Sequence, residues 1–277
     1  MAIGNDNSSS ASTPPAIRLP NRSSLGVFLQ VVNAIIMREV RARFGQGNLG
    51  YLRGLLEPVV FMGGFLLLWI GLGRASPIAV PIELFFLCSL FPCTAFLRTW
   101  EYSSSAIKAN VGLLMFPVAR PLDFFIARII LEATSQIFIF IILATIVHGI
   151  FGEVRHLPDD PLNVLLAAVS AILLAAGMGL TTGCLMMEFS TVEVFMQPLR
   201  KVVFFTSGVF FVADSLPNIV KDYLWWNPLL HATELFRISY FSEASSNFLN
   251  KEYLWGSVVF LLVLGLILER RLQRKGY

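Results

Sequence analysis

Charge is scarce in this 277-residue sequence: Asp, Glu, Lys and Arg make up 14% of it, whereas a soluble domain carries roughly 25%. So few charges cannot cover a water-facing surface, which excludes an ordinary soluble enzyme and an acidic disordered chain. The formal net charge of +3 is too small for an electrostatic nucleic-acid binder. Only three cysteines are present, Cys88, Cys93 and Cys184. They stand in apolar stretches without ligand-like spacing, so a disulfide framework and a zinc site are both excluded, and they read as small buried hydrophobes. No Gly-Lys pair occurs anywhere, and the Walker phosphate cradle needs one. Gly45, Gly47 and Gly50 do spell GxGxxG, but no strand or βαβ unit precedes them to aim backbone amides at a pyrophosphate, so they read as a turn. His148, His156 and His231 are scattered and Ser207 has no base near it in sequence, which leaves zinc and hydrolytic chemistry without support. The Asp159 and Asp160 pair reads as solvated loop.

Apolar residues fill the gap, at 56% of the chain with a mean hydropathy of +0.70. This is the composition of an integral membrane protein, and six spans of roughly 20 residues would use about 120 positions. Residues 1–22 are rich in Ser, Pro and Asn, hold no signal-peptide core, and predict a disordered tail. From Leu25 to Phe44, apolar residues at Leu25, Phe28, Leu29, Val32, Ile36, Val40 and Phe44 recur every three or four positions. That periodicity predicts an amphipathic helix in the membrane surface. Six spans are predicted after it: Pro58–Gly73, Ile82–Arg98, Leu122–Ile150, Leu162–Met187, Leu199–Ala213 and Tyr253–Leu268. With both termini cytoplasmic, only Arg74, Arg155, Lys221, Arg237 and Lys251 of the 21 Lys and Arg fall outside, as the positive-inside rule requires. The fold expected is therefore all-α and integral to the membrane.

Most spans carry no ionisable group away from their ends, which argues against an internal ion-coupling site. The third is different. Arg128, Glu132 and Gln136 share one face at four-residue steps, and are read as an intrahelical ion pair or as the lining of a polar pathway. In the fourth, Ala171, Ala175, Gly179 and Gly183 form a seam of small side chains that permits close helix approach, within a subunit or across a dimer. Between spans two and three, Ser103–Met115 predicts a short helix ended by Pro117 and Pro121. The stretch from Asp214 to Asn250 contains Tyr223, Trp225, Trp226 and Tyr240, and is read as an interfacial aromatic belt or an external re-entrant hairpin.

Three blocks resemble a known family: NAIIMREVRARFGQGNLGYLRGLLEP at Asn33–Pro58, SSSAIKANVGLLMFPVARPLDFFIARIILE at Ser103–Glu132, and SGVFFVADSLP with WNPLLHATELFRISYF near the carboxyl end. They are similar, in the same order, to the membrane permeases of type-2 ABC exporters, specifically those for capsular polysaccharide. Arg53 departs from the family's LGYLW pattern, so no aromatic contact is expected there.

The resemblance implies one transmembrane domain over residues 23–277, acting as a homodimer with two copies of a separate ABC ATPase subunit. The chain itself would need no cofactor, because ATP and Mg would be bound by that partner. A lipid-linked polysaccharide would cross the bacterial inner membrane at the dimer interface and pass to periplasmic and outer-membrane capsule export proteins. By the same resemblance Ser103, Lys108, Asn110, Leu113, Leu114, Phe116 and Pro117 form the ATPase-coupling loop. A candidate substrate path takes in Arg38, Arg41, Arg128, Glu132, Trp225 and Trp226. An exporter of O-antigen or of a teichoic-acid-like polymer shares this architecture. A membrane enzyme acting on lipid-linked sugars is the reading from another class; it needs clustered carboxylates or histidines at one membrane face, and the sequence offers only Asp123 and Glu132.

Overall fold

The computed structural model describes residues 24–44, 59–73 apart from 62, 66 and 70, then 76–113, 120–151 and 158–275. Among the described residues all regular structure is helical. The elements are α1 (Ser24–Phe44), α2 (Val59–Trp69), α3 (Ile82–Ser104), a 3₁₀ turn (Lys108–Leu113), α4 (Pro121–Phe151), α5 (Pro161–Glu188) and α6 (Thr191–Thr206). After a second 3₁₀ turn (Ala213–Ser215) come α7 (Asn218–Leu224), α8 (Pro228–Tyr240) and α9 (Lys251–Arg274). The predicted tail over 1–22 lies outside the described residues, as do Leu114, Phe116 and Pro117.

Four helices, α3, α4, α5 and α9, are long and apolar enough to cross a membrane. The ends of α4 and α5 fall close to their predicted positions because proline and charge bound each apolar run. Asp160 caps α5: its carboxylate accepts from the Asn163 backbone N–H at 3.1 Å and from Asn163 Nδ2 at 2.6 Å. Those two bonds to the charged form hold its pKa below the ordinary aspartate value.

Elsewhere the boundaries move. The helix predicted to stop at Arg98 runs on to Ser104, so Ser103 belongs to α3 rather than to a separate loop helix. Serine does not end this helix because its hydroxyls bond back along it: Ser103 Oγ donates to the Thr99 carbonyl and Ser104 Oγ to the Glu101 carbonyl at 2.9 Å. The short helix predicted over Ser103–Met115 is instead the end of α3, a turn, and the 3₁₀ segment Lys108–Leu113.

The fifth predicted span, Leu199–Ala213, is displaced: α6 begins at Thr191 and ends at Thr206. Its stop is local. Ser207 Oγ donates to the Phe204 carbonyl at 2.7 Å, and Gly208 takes a φ of +78°, a left-handed conformation that glycine alone adopts without strain. Sixteen residues rise only about 24 Å, less than a hydrocarbon core of about 30 Å. The first predicted span is represented by α2, whose eleven residues are fewer than the roughly 20 a bilayer crossing needs unless its flanks extend it.

The helices are held around α3 and α5, whose residues dominate the main core with α8 and α9. Near the start of α5, the Asp160 N–H donates to the Ser239 carbonyl of α8 at 2.9 Å. Near its end, Trp100 Nε1 of α3 donates to Thr182 Oγ1 at 3.0 Å. The 28 residues of α5 rise about 42 Å, so α8 and the Lys108 turn sit at opposite ends of the bundle. Helix α9 runs parallel to α5: Lys251 Nζ reaches Asn163 at one end, and Lys275 pairs with Glu188 at the other.

The small-residue seam of α5 is used inside the chain, since Gly179 faces Ser103 and Gly183 faces Ser104. Large apolar side chains on the outer faces of α4 (Phe138, Ile141, Ile150) and α9 (Val259, Phe260, Ile267) are exposed, a surface suited to lipid rather than water.

Candidate functional site

The polar residues gather at the two ends of the bundle. At the Lys108 end, α1 lies against α4 through Val32 and Ile35, which pack with Ala106, Phe124 and Ala127. One further turn along the same stripe, at the seventh position after Val32, stands Glu39, buried with 9% exposure. Its carboxylate meets Arg128 of α4: Nη2 lies 3.1 Å and Nε 3.3 Å from Glu39 Oε1. This is a two-nitrogen contact between helices, with both side chains largely shielded from solvent.

The remaining donors of Arg128 are spent on the exit from α3. Nη1 donates to the Tyr102 carbonyl at 2.9 Å and to Ser105 Oγ at 2.8 Å. Arg38, next to Glu39, donates to Asn110 Oδ1, and Asn110 Nδ2 donates to the Ala106 carbonyl at 2.8 Å. Asn110 is thereby buried while its neighbours Lys108, Ala109 and Val111 remain exposed. The turn is a rigid base of buried amide and guanidinium contacts that presents an exposed edge.

This arrangement brings together Arg38, Arg128, Lys108 and Asn110 from the candidate residues. Ser103 lies one helical turn away, buried against Gly179. Arg41 is exposed. Glu132 is buried one turn beyond Arg128. Of Leu113 only the backbone is described. The partner of Arg128, Glu39 on α1, is not among the sequence-derived candidates because it sits in a basic run; its place at the seventh position after Val32 was the available signal.

Trp225 and Trp226 stand at the other end, so the candidate path residues form two separate clusters within one chain. Trp225 packs on Tyr253 with ring centroids 4.5 Å apart, and Tyr253 Oη donates to the Trp226 carbonyl at 2.8 Å. His231 stacks on Phe248 at 4.9 Å. Its Nδ1 accepts from the Asn250 N–H at 3.3 Å, which leaves Nε2–H to donate to the Trp225 carbonyl at 2.9 Å. That pair of bonds fixes a neutral tautomer. Trp226 is 71% exposed, and an open pocket of about 250 Å³ beside Trp225 is lined by Asp214, Lys221, Asp222, Asn247 and Phe248.

Near these aromatics, within the stretch read as an aromatic belt or re-entrant hairpin, lies a buried ion pair. Glu234 and Arg237 of α8 have 0% and 1% exposure. Arg237 pairs with Glu234 Oε1, and its Nη1 donates to Ser89 Oγ of α3 at 3.1 Å and to the Gly208 carbonyl at 3.1 Å. Glu234 Oε1 also accepts from the Ala213 N–H at 2.9 Å. The pair thus pins the 208–213 segment that follows α6 onto α3. Among the described residues no group of His, Cys, Asp and Glu is arranged to hold a metal ion.

Residues 30–241 match the family described as ABC-2 type transporter, a span that runs from α1 to just past α8 and takes in the Glu39–Arg128 cluster and the Glu234–Arg237 pair. The chain is 32% identical over 255 residues to the polysialic acid transport protein KpsM of Escherichia coli, covering 90% of this chain and 96% of that one. It is 30% identical over 259 residues to the capsule polysaccharide export inner-membrane protein CtrC of Neisseria meningitidis serogroup A, covering 91% and 94%. With the capsule polysaccharide export inner-membrane protein BexB of Haemophilus influenzae it shares 27% identity over 261 residues, covering 91% and 95%. Since the family match takes in more than half of the sequence and the relatives align almost end to end, this chain belongs to the ABC-2 type transporter family.

Proposed function

We propose that this chain is the inner-membrane permease of an ATP-driven exporter of capsular polysaccharide. The observation that carries the reading is the similarity over 90% of the chain to a protein named for polysialic acid transport. Two copies would form the conduit, and a lipid-linked polymer would pass between them towards periplasmic and outer-membrane export proteins. Two ATPase subunits would bind ATP and Mg and supply the work. In this reading α2 and α6, extended by their flanks, join α3, α4, α5 and α9 as six spans, with α1 as an interface helix and α7 with α8 as an external re-entrant unit. The alternating chain direction of successive helices supports it, as does the placement of α1 and the carboxyl end of α9 at one end of the bundle with the Lys108 turn. Both termini would then be cytoplasmic. The exposed edge of that turn, Lys108 with Ala109 and Val111, is the surface we assign to the ATPase. Asn110 and the nearby Ser103 are buried behind it, and with Arg38, Glu39 and Arg128 they support it.

Deleting the gene should leave polysaccharide inside the cell and the surface bare, with export restored by the intact chain. Loss of polymer from both compartments would identify an enzyme of synthesis instead. Orientation is tested separately. Ala109 and Asn247 are both exposed and stand at opposite ends of the bundle. A membrane-impermeant thiol reagent added to spheroplasts should label Asn247→Cys and leave Ala109→Cys unmodified. Labelling of Ala109→Cys alone would invert the topology.

A further inference from the structure

The end of α3 and the cytoplasmic turn that follows it are tied not only to α1 and α4 but to α6, by two ion pairs of opposite sense, one from the turn and one from α3. Lys108 Nζ of the 3₁₀ turn lies 2.5 Å from Glu193 Oε2 in the first turn of α6. Seven residues further along, Arg200 Nη2 lies 3.4 Å from Glu101 Oε1 of α3. Seven residues are almost two helical turns, so Glu193 and Arg200 share one face of α6 with about 10 Å between their levels.

On that side α6 packs by a narrow stripe, Val192, Met196 and Val203, of which Met196 is buried. Arg200 takes the position in the stripe that periodicity assigns to an apolar residue, and its side chain is only 14% exposed. Placing a guanidinium there costs solvation that an alkyl group would not. The rest of α6, with Val194, Phe195, Leu199, Val202 and Phe205, is exposed along its length. Two attachments at separated levels transmit a rotation as well as a shift, whereas one would act as a pivot. Because the senses are opposed, sliding α6 until Arg200 stands level with Lys108 would set like charges together, so the pairs also fix its register.

We infer that Glu193 and Arg200 are positioning residues that hand movement of the Lys108 turn to α6, making α6 the element the ATPase moves. This rests on the proposed permease reading and adds to it the identity of the driven helix. The outer pair is half exposed on both sides, at 52% and 51%, so its contribution to folding is small and its loss is read in transport.

The test uses cells carrying the whole export system, with surface polysaccharide and membrane abundance of the permease measured together. Glu101→Arg and Arg200→Glu, both away from the edge assigned to the ATPase, should each lower surface polymer about fivefold at unchanged abundance, and the two combined should restore it to within about twofold. Glu193→Lys should lower it likewise. Wild-type export by the single variants, or a combined variant as poor as the singles, overturns the inference. Should a charge reversal fail to accumulate, Lys108→Gln and Glu193→Gln replace it: the double should then be no worse than either single, and additive losses overturn the linkage. Failure of the permease reading is distinct, because deletion of the wild-type gene would then leave no polymer trapped inside the cell.

Discussion

Arg237→Ala is expected to destabilise the protein by about 3 to 5 kcal/mol, the range for removing one partner of a buried ion pair. The size follows from what is left behind. Glu234, with 0% exposure, would be left buried without its cation, and the Ser89 hydroxyl and the Gly208 carbonyl would lose their shared donor. The guanidinium also lies over the Phe85 ring at 5.1 Å, so its departure opens space in the core. Glu234→Gln should cost less, because the amide oxygen can still accept from the Ala213 N–H and Arg237 keeps its carbonyl acceptors. The decisive variant is Glu234→Gln combined with Arg237→Met. It removes both charges and fills most of the volume, so it should be more stable than Arg237→Ala although it carries one more substitution. Thermal unfolding of the purified protein in one detergent ranks the three. A double variant less stable than Arg237→Ala would show that the pair's charge is not what the site depends on.

That pair marks where sequence reading stops. Arg237 counts correctly as a charge outside the long apolar runs, and hydropathy carries no sign that α8 folds back against α3. Burial of a charge is a property of tertiary packing, and only the Glu234 and Arg237 spacing of three on a helix hinted that each had a partner. The long apolar helices were legible for the opposite reason: α4 and α5 are continuous runs bounded by proline, and their ends need no tertiary information. Helix α6 was misplaced because its first half, with Thr191, Glu193, Gln197 and Pro198, has the composition of a loop. Its helicity depends on one inward stripe and on ion pairs supplied by other elements. Likewise the sequence predicts a second span that stops at Arg98 and a separate helix from Ser103, but in the folded chain one helix runs through to Ser104. The serine hydroxyls close on their own helix and the serine backbone lies against a glycine face. The small-residue seam was visible in the sequence, whereas its partner was not.

That seam supports the second large effect, in which substitutions one helical turn apart should differ in kind. A Cβ on Gly183 would lie 2.8 Å from the Ser104 carbonyl oxygen, a backbone atom that no side-chain rotation can move. A Cβ on Gly179 would lie 1.9 Å from Ser103 Oγ and 3.0 Å from Ser103 Cβ, so most of its obstruction is a hydroxyl. Both alanine variants overpack a close helix contact, with a cost of roughly 1 to 3 kcal/mol each. Only one is open to relief. Ser103→Ala removes the hydroxyl and should recover most of the stability lost in Gly179→Ala, whereas neither Ser103→Ala nor Ser104→Ala should rescue Gly183→Ala. Thermal unfolding of the single and paired variants measures this, and rescue of Gly183→Ala by a side-chain deletion would mean that the α3 backbone is not the obstacle. The stakes are more than stability, since α3 leads directly into the turn that Arg128, Asn110 and Glu193 hold. Pushing its last residues off α5 tilts that turn against α1 and α6 together. Gly183→Ala protein that still reaches the membrane should therefore export less polymer than its abundance allows, and the paired Gly179→Ala and Ser103→Ala variant should export in proportion to its abundance.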